Sequence, residues 1–524
     1  MDATHAVNLL RRGEKPEWPA NADSLEFANS LDNHKDILPT FRNDFVIPTK
    51  AQLKRKTLAD DDQTAAIASS VDDEAIYFCG NSLGLQPKAM SEYLASYLKT
   101  WGSIAVGGHF TRLEESPLVA YQDMAADCSR KMAPVVGAAP EEVVAMNTLT
   151  VNLHLMMAAF YHPSGTKTKI LNEWRPFPSD WYAIESQIAW HGLDPQEHMV
   201  LVEPDAGSYI LSTEKICQTI DEHAHELALI LLPGIQYFSG QLLDIPTITA
   251  HAHKHGITIG WDLAHAAGNV ELHLHDWDVD FACWCTYKYM NSGAGAIAGA
   301  FVHAKHGDNS NFDTNKNQNQ KITALKGWYG HDKSSRFLMD NKFVATPGAQ
   351  GFQLSNPSIV DLTCLSAALS VFEKTSMNAL RDKSLLLTAY AEILLGRIAE
   401  RNSLTTTILS GEGRGEEQTT KTSSPFEIIT PSHPLQRGTQ LSVLFQEDLM
   451  ESISAALEAN GVICDKRKPG CIRVAPVPLY NTFGDVVRFM RVVEGALRGQ
   501  LQQQQEQEQE KGMEEISGGV EARL

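Results

Sequence analysis

The chain lacks any Cys-x-x-Cys pair, any run of about 18 apolar residues, and an adequate supply of basic side chains. Each absence removes a class of protein. Lysine and arginine number 44 against 64 aspartates and glutamates, a formal net charge of −20, which argues against a nucleic-acid or anionic-membrane partner. Part of that excess clusters in the tail at Glu506, Glu508, Glu510, Glu514 and Glu515. Eight cysteines in 524 residues are too sparse for a disulfide scaffold. Cys283 and Cys285 alternate within an apolar run and read as core thiols on one face of a strand. Without a long apolar run nothing is expected to span a membrane. Met1 to Ala20 is polar and has no apolar signal core, so the expectation is a cytoplasmic protein.

What is present is enough apolar content, 43%, for a large core and two packed domains. The first 70 or so residues are charged and weakly patterned, with Pro16, Pro19, Pro39 and Pro48 scattered through them. They read as an arm, with regular structure expected from about Ile76. The middle alternates short apolar runs with helical stretches. Ala228 to Leu232, Ile257 to Trp261, Asp280 to Cys285 and Ala296 to Val302 read as strands, and Pro246 to His255 as a helix. This pattern predicts a largely parallel sheet covered on both faces, with ligands beyond the carboxyl ends of its strands. After Asn356 the pattern becomes α+β. It gives helices over Leu362 to Glu373, Met377 to Glu400, Asp448 to Ala459 and about Phe483 to Leu497, with strands over Thr439 to Phe445 and Arg473 to Val477. Gly411 to Ser424 reads as an exposed insertion, and the Gln/Glu-rich segment Gln502 to Glu515 as low complexity.

Two residues end apolar runs in a chemically suggestive way: Asp262 in Trp261-Asp262-Leu263-Ala264-His265, and Lys288 in Cys285-Thr286-Tyr287-Lys288 before a glycine-rich stretch. A lysine that forms a Schiff base and a carboxylate that pairs with a pyridinium nitrogen are what pyridoxal phosphate asks of a protein. Taken singly, the lysine reads as a solvated strand end and the aspartate as a helix N-cap. His265 would orient Asp262 or lie against the cofactor, or else be a packed core histidine. A phosphate needs donors at a helix N-terminus, and Leu149-Thr150 stands before the helical run Leu153 to Phe160. Tyr287 is a second phosphate candidate. Phe177, stiffened between Pro176 and Pro178, offers a flat ring for stacking, or else marks a surface turn.

Joined in this order, the segments resemble the kynureninase family of fold-type-I pyridoxal-phosphate enzymes. The resemblance rests on Gly80-Asn81-Ser82-Leu83-Gly84-Leu85-Gln86-Pro87, Leu149-Thr150, Phe177-Pro178-Ser179-Asp180, Asp262 to His265 and Trp277 to Gly293. It also rests on Gly327-Trp328-Tyr329-Gly330-His331, Ser355-Asn356-Pro357 and Arg473 to Asn481, and it covers about 400 residues. It implies an α/β enzyme of the PLP-dependent transferase fold type I, with a large domain around a mostly parallel central sheet and a smaller α+β domain. The corresponding segments are an arm over 1–70, the active-site edge over 71–110, the large domain over 111–370, the small domain over 371–500 and a tail over 501–524. The implied reaction is hydrolytic Cβ–Cγ cleavage of L-kynurenine or 3-hydroxy-L-kynurenine to anthranilate or 3-hydroxyanthranilate plus L-alanine, in tryptophan degradation and NAD synthesis.

The same resemblance implies the residue roles. Lys288 bonds the cofactor, Asp262 holds its ring nitrogen, His265 lies near the ring and Phe177 stacks on it. Leu149, Thr150 and Tyr287 surround the phosphate, while Pro178, Ser179 and Asp180 complete the cofactor shell. Trp328 and Asn356 enter from the second subunit of a homodimer. Arg473 clamps the substrate α-carboxylate, and Ser82 and His109 line the aryl end. Family members often carry a serine where this chain has Pro233, which offers neither a hydroxyl nor an N–H.

Other readings predict different features. An aminotransferase or cysteine desulfurase shares the fold, but a desulfurase needs a mobile nucleophilic cysteine, and Cys283 and Cys285 precede the lysine in an apolar strand. A non-catalytic binding protein would have lost Lys288 or Asp262. Histidines at 223, 225, 251, 253, 255, 273 and 275 raise a metal protein, and His251 and His255 share a helix face. No carboxylate or cysteine stands beside them in a zinc pattern, so they read as solvated surface and no metal is expected.

Overall fold

A computed structural model describes residues 2–56, 58, 74–307, 322–410 and 417–500. The tail and the tip of the 411–424 insertion lie outside the described residues. The N-terminal segment departs from expectation by forming two helices, α1 (Ala3–Arg11) and α2 (Leu25–Asp32). Both are capped from their first residues: Asp2 accepts the His5 N–H at 3.2 Å and Ser24 the Phe27 N–H at 3.1 Å. Ala3, Ala6 and Leu10 form a short apolar stripe that is fully buried. Three small or single apolar positions among charged neighbours are a weak periodic signal, and tertiary packing completes the helix. A two-residue strand β1 (Ile76–Tyr77) and helices α3 (Ala89–Ile104) and α4 (Met124–Val136) lead into the main sheet.

That sheet has seven strands: β2 (Val143–Ala145), β3 (Lys169–Glu173), β4 (Met199–Val202), β5 (Leu227–Pro233), β6 (Thr258–Asp262), β7 (Phe281–Trp284) and β8 (Gly299–Val302). Their spatial order is β2-β8-β7-β6-β5-β3-β4. The pairs from β4 through β3, β5 and β6 to β7 are parallel, and only β8 runs against its neighbours. Near-continuous apolar strands such as Leu227–Pro233 suit a sheet buried on both faces. Gly260 is needed for packing here, because a Cβ on it would fall 2.1 Å from the Phe281 ring. Crossover helices α5 (Leu149–Phe160), α6 (Pro178–Trp190), α7 (Pro195–His198), α8 (Thr213–His223) and α9 (Ile245–Lys254) cover the faces. Cys285 falls just past the end of β7, so only Cys283 of that pair sits within the strand.

Helices α10 (Ile359–Phe372) and α11 (Met377–Arg401) follow, each capped by a serine. The stretch read as an exposed insertion supplies one strand of a hairpin: its β10 (Glu417–Ser423) pairs antiparallel with β9 (Leu404–Ser410), which precedes it. Its Thr- and Ser-rich composition hid two β-compatible runs. A second sheet is built from β11 (Phe426–Ile428), β12 (Leu441–Phe445), β14 (Asp465–Arg467) and β15 (Cys471–Val474), in the order β11-β12-β15-β14. Helix α12 (Met450–Ala459) ends at Asn460 and Gly461, the latter at φ +70° as a helix stop requires, and β13 (Val462–Ile463) pairs with β1. A last helix runs over 483–500. No helix among the described residues is long and apolar enough to cross a membrane.

Two cores pack on the central sheet, one on each face, and another joins α1, α2, α11 and the small sheet. The Arg11 guanidinium ties this last core to the central body, pairing with Glu271 and, at 2.6 Å, with Asp382 on α11. Leu10→Ala should therefore lower folding stability by about 2–5 kcal/mol. Denaturant titration of the holoenzyme measures this, and an unchanged midpoint would mean that α1 is not part of the cooperative core.

Candidate active site

Four neighbouring parallel strands deliver their carboxyl ends to one place. Glu173 ends β3, Pro233 ends β5, Asp262 ends β6, and Lys288 follows β7 after a short turn. These ends line a cavity of about 190 Å³. Thr148, Leu149, Thr150, Phe177, Ser179, Asp180, His265 and Tyr287 line it as well. Pro178 is the first residue of α6, between Phe177 and Ser179. Glu173, Ile235, Tyr237, Ala264, Gly295 and Ala296 also contribute, and none was singled out from sequence. Glu173 was within reach of the rule that found Asp262, since it too ends a strand with a carboxylate.

Asp262 and Lys288 are both buried, at 7% and 9% exposure, so their charges depend on partners. Asp262 is not a helix cap: a turn follows it, and its Oδ1 accepts the Ala264 N–H at 2.8 Å. Its backbone carbonyl accepts the Gly234 N–H at 2.7 Å, locking the ends of β5 and β6. Burial and the neighbouring Asp262 charge push the Asp180 carboxyl far up, and the two carboxyls hydrogen-bond each other. Burial also raises Asp262, while that hydrogen bond and the Lys288 charge pull it back toward the ionised form. Burial, then Lys288 and Arg473, hold His265 well below the usual imidazole range, so its ring is neutral. The Lys288 Nζ lies 5.8 Å from the Phe177 ring centroid and 6.0 Å from that of Tyr287.

These surroundings fit pyridoxal phosphate. The His265 Nδ1 is buried with no hydrogen-bond partner. The N-cap Thr148 makes no side-chain cap bond to α5, which leaves the first-turn N–H groups beside Leu149 and Thr150 free for a phosphate. Phe177 is 40% exposed, a large ring with an open face at the cavity. The lysine turn is itself fixed from outside. Gly84 donates its N–H to the Tyr287 carbonyl at 2.8 Å, and a Cβ on Gly84 would lie 2.3 Å from the Lys288 carbonyl oxygen. The segment containing Ser82 is thus packed on the lysine turn, though Ser82 itself is not on the cavity wall.

Other expected residues lie elsewhere. Arg473 stands behind the wall, fully buried, donating to the Tyr237 carbonyl at 2.7 Å and ion-paired with Asp465. Its Nε has no partner. Trp328, Asn356 and His109 gather in a separate cavity of about 270 Å³ with Val106, Phe110 and Phe337. Within one chain, then, His109 keeps company with Trp328 and Asn356 rather than with Ser82 or Lys288. Long-range pairing of this kind leaves no trace in residue spacing.

Solved structures share this architecture. A cysteine desulfurase from Thermococcus onnurineus, in its apo form, superposes with a TM-score of 0.60 at 15% identity, covering 81% of this chain and 95% of that one. A C-DES mutant with glycine covalently linked to its PLP cofactor gives 0.60 at 16% identity, covering 83% and 99%. Fold and cavity together define a pyridoxal-phosphate enzyme of fold type I. Sequence relatives narrow this. The chain is 68% identical to Kynureninase 2 of Phaeosphaeria nodorum, over 96% of this chain and 97% of that protein. It is 58% identical to Kynureninase 1 of Neurospora crassa, over 95% and 100%. Residues 414–493 match the kynureninase C-terminal domain. The chain belongs to the kynureninase family.

Glu173 supplies a pH test. Burial raises its carboxyl to about 7, against the N–H groups of Arg175 and Gln236 that favour the charged form. A carboxyl raised on folding stabilises the fold at low pH and loses that contribution as pH climbs through its folded value. The thermal midpoint should therefore fall between about pH 5 and about pH 8 by an increment missing in Glu173→Gln. Equal slopes in the two proteins would contradict the shift.

Proposed function

We propose that this site performs hydrolytic Cβ–Cγ cleavage of L-kynurenine and/or 3-hydroxy-L-kynurenine, releasing anthranilate or 3-hydroxyanthranilate and L-alanine. The observation that carries the reading is the shared cavity of Lys288 and Asp262 beside the open N-terminus of α5. Bound pyridoxal phosphate supplies an electron sink conjugated to the substrate α-carbon. Lys288 Nζ would hold the cofactor through its aldehyde carbon, and as a free amine it would take the proton from the substrate Cα. Asp262 would receive the ring N–H, with the Asp180 hydrogen bond and the Lys288 charge opposing the upward push of burial on its carboxyl. Thr150, Leu149 and the first turn of α5 hold the phosphate, with the Tyr287 hydroxyl beside them. Phe177 would cover one face of the ring, and neutral His265 would lie near it. Pro233 contributes only its ring and carbonyl to the wall.

Arg473 is the partner for the substrate α-carboxylate, through its Nε, which has no other acceptor. Asp465 pairs with the neighbouring Nη2 and the Tyr237 carbonyl accepts from Nη1, which together fix the guanidinium. The nearest alternative is a desulfurase, which the buried thiols disfavour. Burial pushes both Cys283 and Cys285 above the ordinary thiol range, so neither is a ready nucleophile.

The assembly we propose is a homodimer in which Trp328, Asn356 and His109 complete the partner's site. Its support is the company those residues keep: Trp328 and Phe337 at 48% exposure, Phe110 at 65% and Val106 at 73% form an apolar surface fit for a second copy. The division into a large body over 111–370 and a small one over 371–500 belongs to the same reading. All eight cysteines are free thiols, which suits the reducing cytoplasm.

Three measurements test this. Lys288→Ala should lose the visible cofactor band and drop turnover at least about a thousandfold, followed as anthranilate and alanine release; a variant that kept both would end the assignment. Asp465→Asn should raise KM more than it lowers kcat, whereas a change in kcat alone would remove Arg473 from substrate binding. Co-expressed Lys288→Ala and Asn356→Ala chains, each inactive alone, should recover about a quarter of wild-type activity through hybrid dimers with one intact site. No recovery would place Asn356 in its own chain's site.

A further inference from the structure

Helices α8 and α9 pack side by side and lead into β5 and β6, two strands that run parallel. The helices therefore point the same way, and their C-termini meet at the end of the sheet opposite Asp262. At that meeting point three side chains converge. The Nε2 atoms of His251 and His255 lie 2.8 and 2.6 Å from the same oxygen, Oδ1 of Asp221. All three ligand atoms fall within 4.8 Å of one another. The two histidines are one helical turn apart on α9 and its C-cap, the spacing that turns two imidazoles toward one ion. The carboxylate that no local pattern supplies comes from the last turn of α8, 30 residues away.

We propose that Asp221, His251 and His255 bind one divalent cation of the zinc class, fastening the ends of α8 and α9. Two imidazole nitrogens and a carboxylate oxygen form a mixed N/O set favoured by Zn²⁺, with Ni²⁺, Co²⁺ and Cu²⁺ as chemical neighbours, and leave a fourth tetrahedral position for water. Binding needs no oxidant or co-reactant. In the metal-free protein each Nε2–H donates to Asp221 Oδ1; on binding, Nε2 gives its lone pair to the ion, the neutral ring keeps its one proton on Nδ1, and any imidazolium proton leaves to solvent. Asp221 is already an anion, held below the ordinary carboxylate range by hydrogen bonds from His251 and His255. Two helix C-termini add negative potential at the same point. The side chains are 19%, 32% and 52% exposed for His251, His255 and Asp221, so an ion has a route in.

A second cluster of the same composition behaves differently. Glu142 there spends its oxygens on the N–H groups of Ala139 and Ala304, and the His303 Nδ1 accepts the Lys305 N–H. It serves as the control. Chelator-washed holoenzyme is titrated with Zn²⁺ in competition with a chromogenic chelator. Wild type and His275→Ala should bind one Zn²⁺ per chain, while His255→Ala and Asp221→Asn should weaken binding more than about tenfold. Zn²⁺ should raise the unfolding midpoint of wild type but not of His255→Ala, and kynurenine turnover should stay unchanged in that variant. Matching metal-free midpoints establish that the surface variants fold. The proposal is overturned if wild type and His255→Ala titrate alike, if wild type takes up no Zn²⁺ at micromolar concentration, or if His275→Ala alone abolishes uptake. Since the site lies away from the cavity, none of these results depends on the reaction assigned to Lys288.

Discussion

A buried aspartate and a buried lysine on the wall of one cavity are the constraint from which the rest of this molecule follows. Asp262 and Lys288 are both removed from water, and an isolated charge in that position would cost far more than a fold can spare. The chain meets the cost by surrounding Asp262 with the Ala264 N–H, the Asp180 carboxyl and Lys288 itself. That arrangement exists only because parallel strands end side by side. β6 brings Asp262 and β7 brings the lysine turn, while the start of α6 brings Asp180. Removing any one of these elements would leave a charge without its counterpart. The sheet's direction is therefore a condition of the chemistry as much as of the packing.

Much of this was readable from residues alone, for identifiable reasons. Strands buried on both faces are continuous apolar runs, so β5 through β8 announced themselves, and a charge that ends such a run is conspicuous. Asp262 and Lys288 were visible for that reason. Glu173 ends a strand in the same way, but a lysine and an asparagine break its run, and it escaped notice. The helices of the N-terminal segment were missed because α1 buries only Ala3, Ala6 and Leu10, and alanine carries little periodic signal. The hairpin of β9 and β10 was missed because its threonines and serines suit strand and loop alike.

Contacts between distant segments were the other blind spot. Nothing in the spacing of Asp465 and Arg473 says that they pair, nor that His109 sits with Trp328 and Asn356. The carboxylate beside His251 and His255 was invisible in the same way, since Asp221 belongs to another helix. Family resemblance named roles for several of these residues. Only coordinates show which of them share a cavity within one chain and which stand apart from Lys288.

Gly84 carries a consequence of its own. Its backbone rests on the turn that holds Lys288, at a separation no side chain would tolerate. The two strips of chain, far apart along the polypeptide, are mechanically a single piece. A shift in the stretch around Ser82 would move the turn that carries the lysine.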